Sequence, residues 1–327
     1  MRARNVDLSL AAREHGTAFA LSLCLGFVTA LVTLKLTIEP PSATTLKIAR
    51  GLASFPSQYR ALTPLALAWW ERWSPMSVSQ AEFAFYVVVF FLVYRVAYGL
   101  YRGAFDRPVA ATATLVLFVA LAASAAQNLS LKPLSLAQEN FGVRYAYDST
   151  QLLVVLGLAH CILARRRAAW HALFLLGTFN RETTIILVPA LWLVWRRDGL
   201  RGATLHAAAS IAVWMAVKIA LARLFPGGTW VVTPEPFLNA RWPWRVANTA
   251  MALGGLWIFA MPGWSRVPAD IRRLLAAVPA LVAAIAYAGN LWEIRVYNEA
   301  IPLLAPVIAA GLLGRGASAR DAGRGLL

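Results

Sequence analysis

The sequence predicts an all-helical, polytopic membrane protein: one bundle with eight full spans, plus a segment at 168–195 that is either a broken hairpin or one long span. Three observations carry this. Hydrophobic residues make up 59% of the 327 and charged residues only 14%, where a soluble domain carries roughly a quarter charged. The apolar residues fall in unbroken runs close to the ~20 residues that a helix needs to cross a bilayer. Many of the arginines sit in short clusters between those runs, as in loops that face the cytoplasm. Runs this dense leave no room for a sizeable soluble domain, so residues 1–327 read as a single transmembrane domain.

The first run, Thr17 to Ile38, follows Arg2, Arg4 and Arg13. It is long for the apolar core of a signal peptide and lacks a small-residue cleavage site, so it reads as an uncleaved first span. Glu39-Pro40-Pro41 stops it, because proline lacks the N–H that would continue a helix. In the loop 39–78 that follows, Leu62, Leu65, Ala66, Trp69 and Trp73 recur at helical spacing. That pattern predicts an amphipathic helix lying on the bilayer, with Trp69, Trp70 and Trp73 at headgroup depth. Further runs cover 79–101, 109–128, 149–164, 203–224, 246–264, 274–290 and 298–314. Loops 129–148, 225–245 and 291–297 join them on the same side as loop 39–78. Cys24 and Cys161 lie inside apolar runs without metal or disulfide spacing, and read as packing residues.

The net charge of +16 is no sign of nucleic acid, which would need the charge gathered on one folded surface. Here it sits in Arg165-Arg166-Arg167, in Arg196, Arg197 and Arg201, in Arg266, Arg272 and Arg273, and in Arg315, Arg320 and Arg324. With the N-terminus in the cytoplasm, the inner segments hold 17 Lys and Arg, and the longer outer loops hold nine. This is the expected bias for a multi-pass protein of the inner (plasma) membrane with both termini cytoplasmic. The scheme requires 168–195 to enter and return on one side. Gly177, Thr178, Asn180, Arg181 and Glu182 in its middle fit a broken hairpin whose tip is enclosed by protein or water.

Ionisable groups beside hydrocarbon persist mainly when paired or functional, so four groups stand out. Gln58-Tyr59-Arg60 precedes the interfacial helix, where an arginine can fork to a phosphate or hold a lipid headgroup. Asp148 opens a span, and reads as a helix cap or as an acid at the outer mouth. Asn180-Arg181-Glu182 needs partners or water inside an apolar run, as an internal ion pair or as part of a substrate path. Glu293-Ile294-Arg295 lies before the last span, with Arg295 and Glu299 spaced for a local helical pair. Glu39, the first acid after the first span, is either a general base facing the outer side or a solvated residue.

In combination these stretches resemble the GT-C type of polytopic glycosyltransferases, in particular compact bacterial membrane proteins of that type. The similar stretches are Gln58-Tyr59-Arg60-Ala61-Leu62-Thr63-Pro64, Tyr147-Asp148, Asn180-Arg181-Glu182-Thr183 and Glu293-Ile294-Arg295. The resemblance implies transfer of a sugar from a polyprenyl-phosphate donor on the outer face of the membrane. Its phosphate would be held by Arg60, Arg181 and Arg295, with Glu39 or Asp148 as general base and Glu182 and Glu293 orienting the arginines. The acid of the first outer loop in that family is usually Asp, whereas this loop offers Glu39. No acidic pair has metal-ligand spacing, so no metal or other cofactor is expected. The partners implied are the lipid-linked donor and membrane lipids, with no nucleic acid. Two other classes use the same residues: a transporter or flippase for a lipid-linked or anionic solute, and a non-catalytic membrane assembly protein.

Overall fold

The computed structural model describes residues 2–35, 60, 62–76, 78–130, 146–225, 252–288 and 294–314, and among them every regular element is helical. Most of the loops expected at 39–78, 129–148, 225–245 and 291–297 lies outside the described residues. The helices are α1 (Arg2–Lys35), α2 (Leu62–Trp73), α3 (Val78–Ala104), α4 (Arg107–Ser130), α5 (Ala146–Leu163), α6 (Arg167–Asn180), α7 (Leu187–Trp195), α8 (Leu200–Leu224), α9 (Ala260–Gly263), α10 (Ala269–Leu274), α11 (Ala277–Ala288) and α12 (Ile301–Leu313). Short 3-10 segments at Glu182–Ile186, Ala252–Phe259, Trp264–Arg266 and Ile294–Glu299 link the later ones.

Four stretches are long and apolar enough to cross a membrane: Glu14–Thr33, Gln80–Ala104, Arg107–Ser124 and Leu200–Leu224. Asp148–Leu163, Glu182–Trp195 and Ile301–Leu313 are apolar but shorter. The remaining runs are divided by residues that cannot propagate a helix. Gly255 takes φ +74° and Pro262 follows it, so 252–266 alternates 3-10 and α turns. Pro279 lacks the N–H that would bond back to Leu275, and α11 starts afresh at Ala277.

The core is mainly apolar, with some polar side chains buried in it, and many large apolar side chains are also exposed, as few are on a protein folded in water. On α1, Phe19, Leu23, Phe27 and Leu31 form an exposed stripe at i, i+4 spacing, while Ser22, Thr29 and Thr33 are buried. Several apolar helices with such faces mark a membrane protein. The exposed face of α2 presents Leu65, Trp69 and Trp73, and its other side buries Thr63 and Leu67. The helix expected from the spacing of Leu62 to Trp73 is present.

Close crossings depend on small residues. In α1, Gly26 lies against the backbone of Phe91, where an added Cβ would come within 2.7 Å of its amide nitrogen. Phe19 then meets Phe91, and Phe27 meets Phe83. Glu14 reaches Arg102, so α1 and α3 run antiparallel. Gly311 of α12 meets the backbone of α9 and the segment before it, with its would-be Cβ only 2.1 Å from the Phe259 carbonyl oxygen.

The segment 168–195 is a hairpin. Arg165, before α6, pairs with Asp198, after α7, at 2.7 Å. Trp170 and Trp195 stack edge to face at 6.3 Å, and near the tip the Thr178 and Thr184 hydroxyls are 3.1 Å apart. At 1.5 Å per helical residue and 2.0 Å per 3-10 residue, the legs measure about 21 Å and about 24 Å. Both fall short of the ~30 Å hydrocarbon core. The polar tip therefore stops where protein side chains must satisfy it.

Replacing Gly311 with Ala forces α12 and α9 apart and lowers the unfolding free energy by about 1–3 kcal/mol. Gly202→Ala, at a helical position with nothing within 4 Å, raises it by up to ~1 kcal/mol. Thermal unfolding of the two detergent-solubilised variants should move in opposite directions.

Candidate functional site

The hairpin tip owes its shape to hydroxyls that take over freed backbone groups. Arg181 leaves the helix with extended backbone (φ −158°, ψ 142°), its N–H still donating to the Gly177 carbonyl at 2.8 Å. The carbonyls beyond the break would be orphaned. Thr184 Oγ1 donates to the Arg181 carbonyl at 3.1 Å, and Trp214 Nε1 of α8 donates to the Glu182 carbonyl at 2.9 Å. Gly177 allows the return leg to close, since a Cβ there would come within 2.8 Å of Thr184 Cγ2.

Around this tip a layer of neutral hydrogen bonds ties three helices together. Thr63 of α2 donates to Asn180 Oδ1, and Asn180 Nδ2 donates to Gln151 Oε1 of α5 at 3.1 Å. Asn180, Gln151 and Thr63 are buried, so each bond lies in a low-dielectric setting where a missing partner is costly.

Beside that layer three cations and three carboxylates meet, and they divide into two sets of opposite sign. In the first, Glu182 bridges two cations. Arg60 Nη2 is 2.9 Å from its Oε1, and Lys218 Nζ is 3.7 Å from its Oε2. Lys218 also lies 5.9 Å from the centre of the Trp214 ring. In the second, Arg181 bridges two carboxylates. Its Nη1 is 2.8 Å from Asp148 Oδ1 and 2.9 Å from Glu299 Oε1, and Thr183 Oγ1 donates to the same Glu299 oxygen at 2.9 Å. The first set sums to +1 and the second to −1. The Glu182 side chain is the most exposed, at 30%, and those of Arg181 and Glu299 the least, at 5% and 1%, while Arg60, Lys218 and Asp148 lie between them in both sets.

Of the residues singled out in the sequence, Arg60, Asp148, Asn180, Arg181 and Glu182 come together here, from elements up to 122 positions apart. Glu39, Gln58, Tyr59 and Glu293 lie outside the described residues. Arg295 falls in the 3-10 segment Ile294–Glu299 that delivers Glu299. The carboxylate of Glu299, expected to pair locally with Arg295, reaches across to Arg181. Sequence reasoning missed Lys218, Gln151 and Thr63. Lys218 had a readable signal as the one ionised residue in the interior of the 203–224 run, whereas Gln151 and Thr63 carry no charge to announce them. Among the described residues no three His, Cys, Asp or Glu side chains group to hold a metal ion. No family model matches the chain, and no curated protein or solved structure is significantly similar to it.

Arg181→Ala leaves Asp148 and Glu299 facing each other without their shared cation. It should cost about 3–5 kcal/mol of stability, the range for breaking a buried ion pair. Adding Glu299→Gln removes one of the stranded charges and should restore part of that loss. Thermal unfolding of the single and double variants in the same detergent measures both effects.

Proposed function

We propose that this chain is a multi-pass glycosyltransferase that moves a sugar from a polyprenyl-phosphate donor to an acceptor on the outer face of the inner membrane. In this reading the spans number eight beside the hairpin, both termini are cytoplasmic, and the ion cluster lies at the outer boundary. The observation that supports it is the split of that cluster into a half with excess positive charge and a half with excess negative charge, one residue apart along the chain.

The reaction needs both signs. The acceptor hydroxyl attacks the anomeric carbon, the bond from that carbon to the phosphate oxygen breaks, and polyprenyl phosphate leaves with the electron pair. Cations beside the phosphate stabilise the charge that grows on its departing oxygen. Arg60 and Lys218 occupy that role, and Arg295 is assigned beside them. A carboxylate must accept the hydroxyl proton. Asp148 does so from the anionic half, with Glu39 as the other acid assigned to the outer side. Arg181 Nη1 is shared between Asp148 and Glu299, so in this reading Arg181 positions the acids. Two of the four stretches that resemble GT-C enzymes, those holding Arg60 and Arg181-Glu182, then serve one reaction.

A second reading draws on the broken hairpin, a device also used by transporters of anionic solutes. The two readings differ in access. A transporter exposes the tip to both sides of the membrane in turn, so a cysteine introduced at Thr183 would react with impermeant thiol reagents from either face.

In proteoliposomes supplied with polyprenyl-phosphate-linked sugars, the wild-type protein should transfer label to an acceptor. Arg60→Ala and Lys218→Ala should each lower the rate by about 10²–10³-fold, the usual cost of removing one preorganised charge or donor. Asp148→Asn should be lower still. Full activity in Arg60→Ala and Lys218→Ala together would remove the cationic half from the mechanism.

A further inference from the structure

Glu182 is the feature that this scheme leaves over. A site built only to hold a phosphate would not place a carboxylate between its two cations. Yet Glu182 bridges Arg60 and Lys218, and it is the most exposed carboxylate of the cluster. Its backbone is pinned by Trp214, so the side chain alone can swing. Its hold on Lys218 is long: 3.7 Å exceeds the 2.7–2.9 Å of a direct charge-assisted hydrogen bond. Both atoms of that contact are shut from solvent, so an incoming phosphoryl oxygen reaches Lys218 when the Glu182 side chain swings aside.

We infer that Glu182 sets the charge of the anion this site admits, favouring a singly charged phosphodiester over a doubly charged phosphomonoester or diphosphate. The inference rests on reading the cluster as a phosphate site. The arithmetic is local. Arg60, Lys218 and Glu182 sum to +1, which one phosphodiester neutralises. A dianion would leave an excess negative charge in a poorly screened setting, beside the further −1 of Arg181, Asp148 and Glu299. Like charges so placed are strongly disfavoured. A sugar linked through phosphate to a polyprenol is a phosphodiester, whereas the polyprenyl phosphate left after transfer is a phosphomonoester. The same carboxylate would therefore help the spent carrier to leave.

The test uses the full chain in uncharged maltoside micelles at pH 8, where a phosphomonoester is mostly dianionic because its second pKa is near 6. The probes are farnesyl phosphate and its methyl ester, with methyl phosphate and dimethyl phosphate as water-soluble counterparts. The wild-type protein should bind the methyl ester at least tenfold more tightly than farnesyl phosphate. Glu182→Gln, which raises the local sum to +2, should reverse that order. Glu182→Gln with Lys218→Gln returns the sum to +1 through Arg60 alone and should restore the original preference, an outcome that a structural role for Glu182 would not produce. Should Glu182→Gln fail to fold, Lys218→Gln alone sets the sum to zero and should weaken methyl ester binding at least tenfold.

An unchanged preference in Glu182→Gln, or unchanged methyl ester affinity in Lys218→Gln, overturns the inference. If the soluble pair follows the same order and the farnesyl pair does not bind, the charge rule stands and the lipid-linked donor falls. If the farnesyl preference reverses as expected but no sugar is transferred, the inference stands and the glycosyltransferase reading falls. Transfer by a wild-type protein that binds both farnesyl probes equally has the opposite meaning.

Discussion

The guanidinium of Arg181 is the constraint around which this end of the bundle is organised. It is 4% exposed, and an isolated charge so deeply enclosed is prohibitively costly. Two carboxylates answer it from separate elements, Asp148 in the first turn of α5 and Glu299 at the end of the 3-10 segment before α12. At an effective dielectric near 20, each pair of unit charges 4 Å apart is worth about 4 kcal/mol. Much of that offsets desolvation, so the contribution to stability is modest. Geometry is what the triad enforces. Hairpin tip, α5 and α12 can assemble only in a register that brings all three charges together, since any slip strands one of them.

That constraint explains why the hairpin breaks where it does. A continuous helix through Arg181 would place its neighbours on a rising spiral, with Glu182 turned about 100° away. Extended backbone at Arg181, followed by a 3-10 turn, sends Arg181 toward α5 and α12 while Glu182 faces α8 and Arg60. Breaking a helix within an apolar region frees backbone carbonyls, which call for further donors. Thr184 and Trp214 supply the missing donors. The polar sequence at the tip and the hydroxyl and indole near it are therefore parts of one solution.

Much of this was legible in the sequence. Runs of apolar residues gave the helical class, and the position of Asn180-Arg181-Glu182 inside one of them pointed to a returning segment. Arg60, Asp148 and the tip were found because a charge near hydrocarbon is rare. Continuity of the spans was less legible. Hydropathy does not register that Gly255, Pro262 and Pro279 interrupt the backbone, so runs 246–264 and 274–290 looked alike to long helices. Partners were also hidden. Arg295 and Glu299 have the spacing of a helical pair, but 294–299 is a 3-10 segment and the Glu299 carboxylate serves a residue 118 positions earlier, a contact that no local pattern encodes. Lys218 could have been noticed for its isolation, but its pairing with Glu182 could not.

A second ionic cluster, at the other end of α5, shows why pairing alone does not define a site. There Arg165 joins Asp198 and Asp270, and Arg197 and Arg273 also reach Asp270. The side chains of this group are between 29% and 56% exposed, so water screens them and each pair is worth little. Arg165 even adopts φ 57°, uncommon for a residue with a side chain, and is held there by the Ile162 carbonyl and two acids. This cluster ties the end of α5 to the hairpin legs and α10. The tip cluster draws on the same residue types, but its Arg181 and Glu299 are shut away from water while Glu182 remains accessible. The deeply buried Arg181–Glu299 pair fixes the geometry, and Glu182, joined to cations on two other elements, keeps part of its surface exposed.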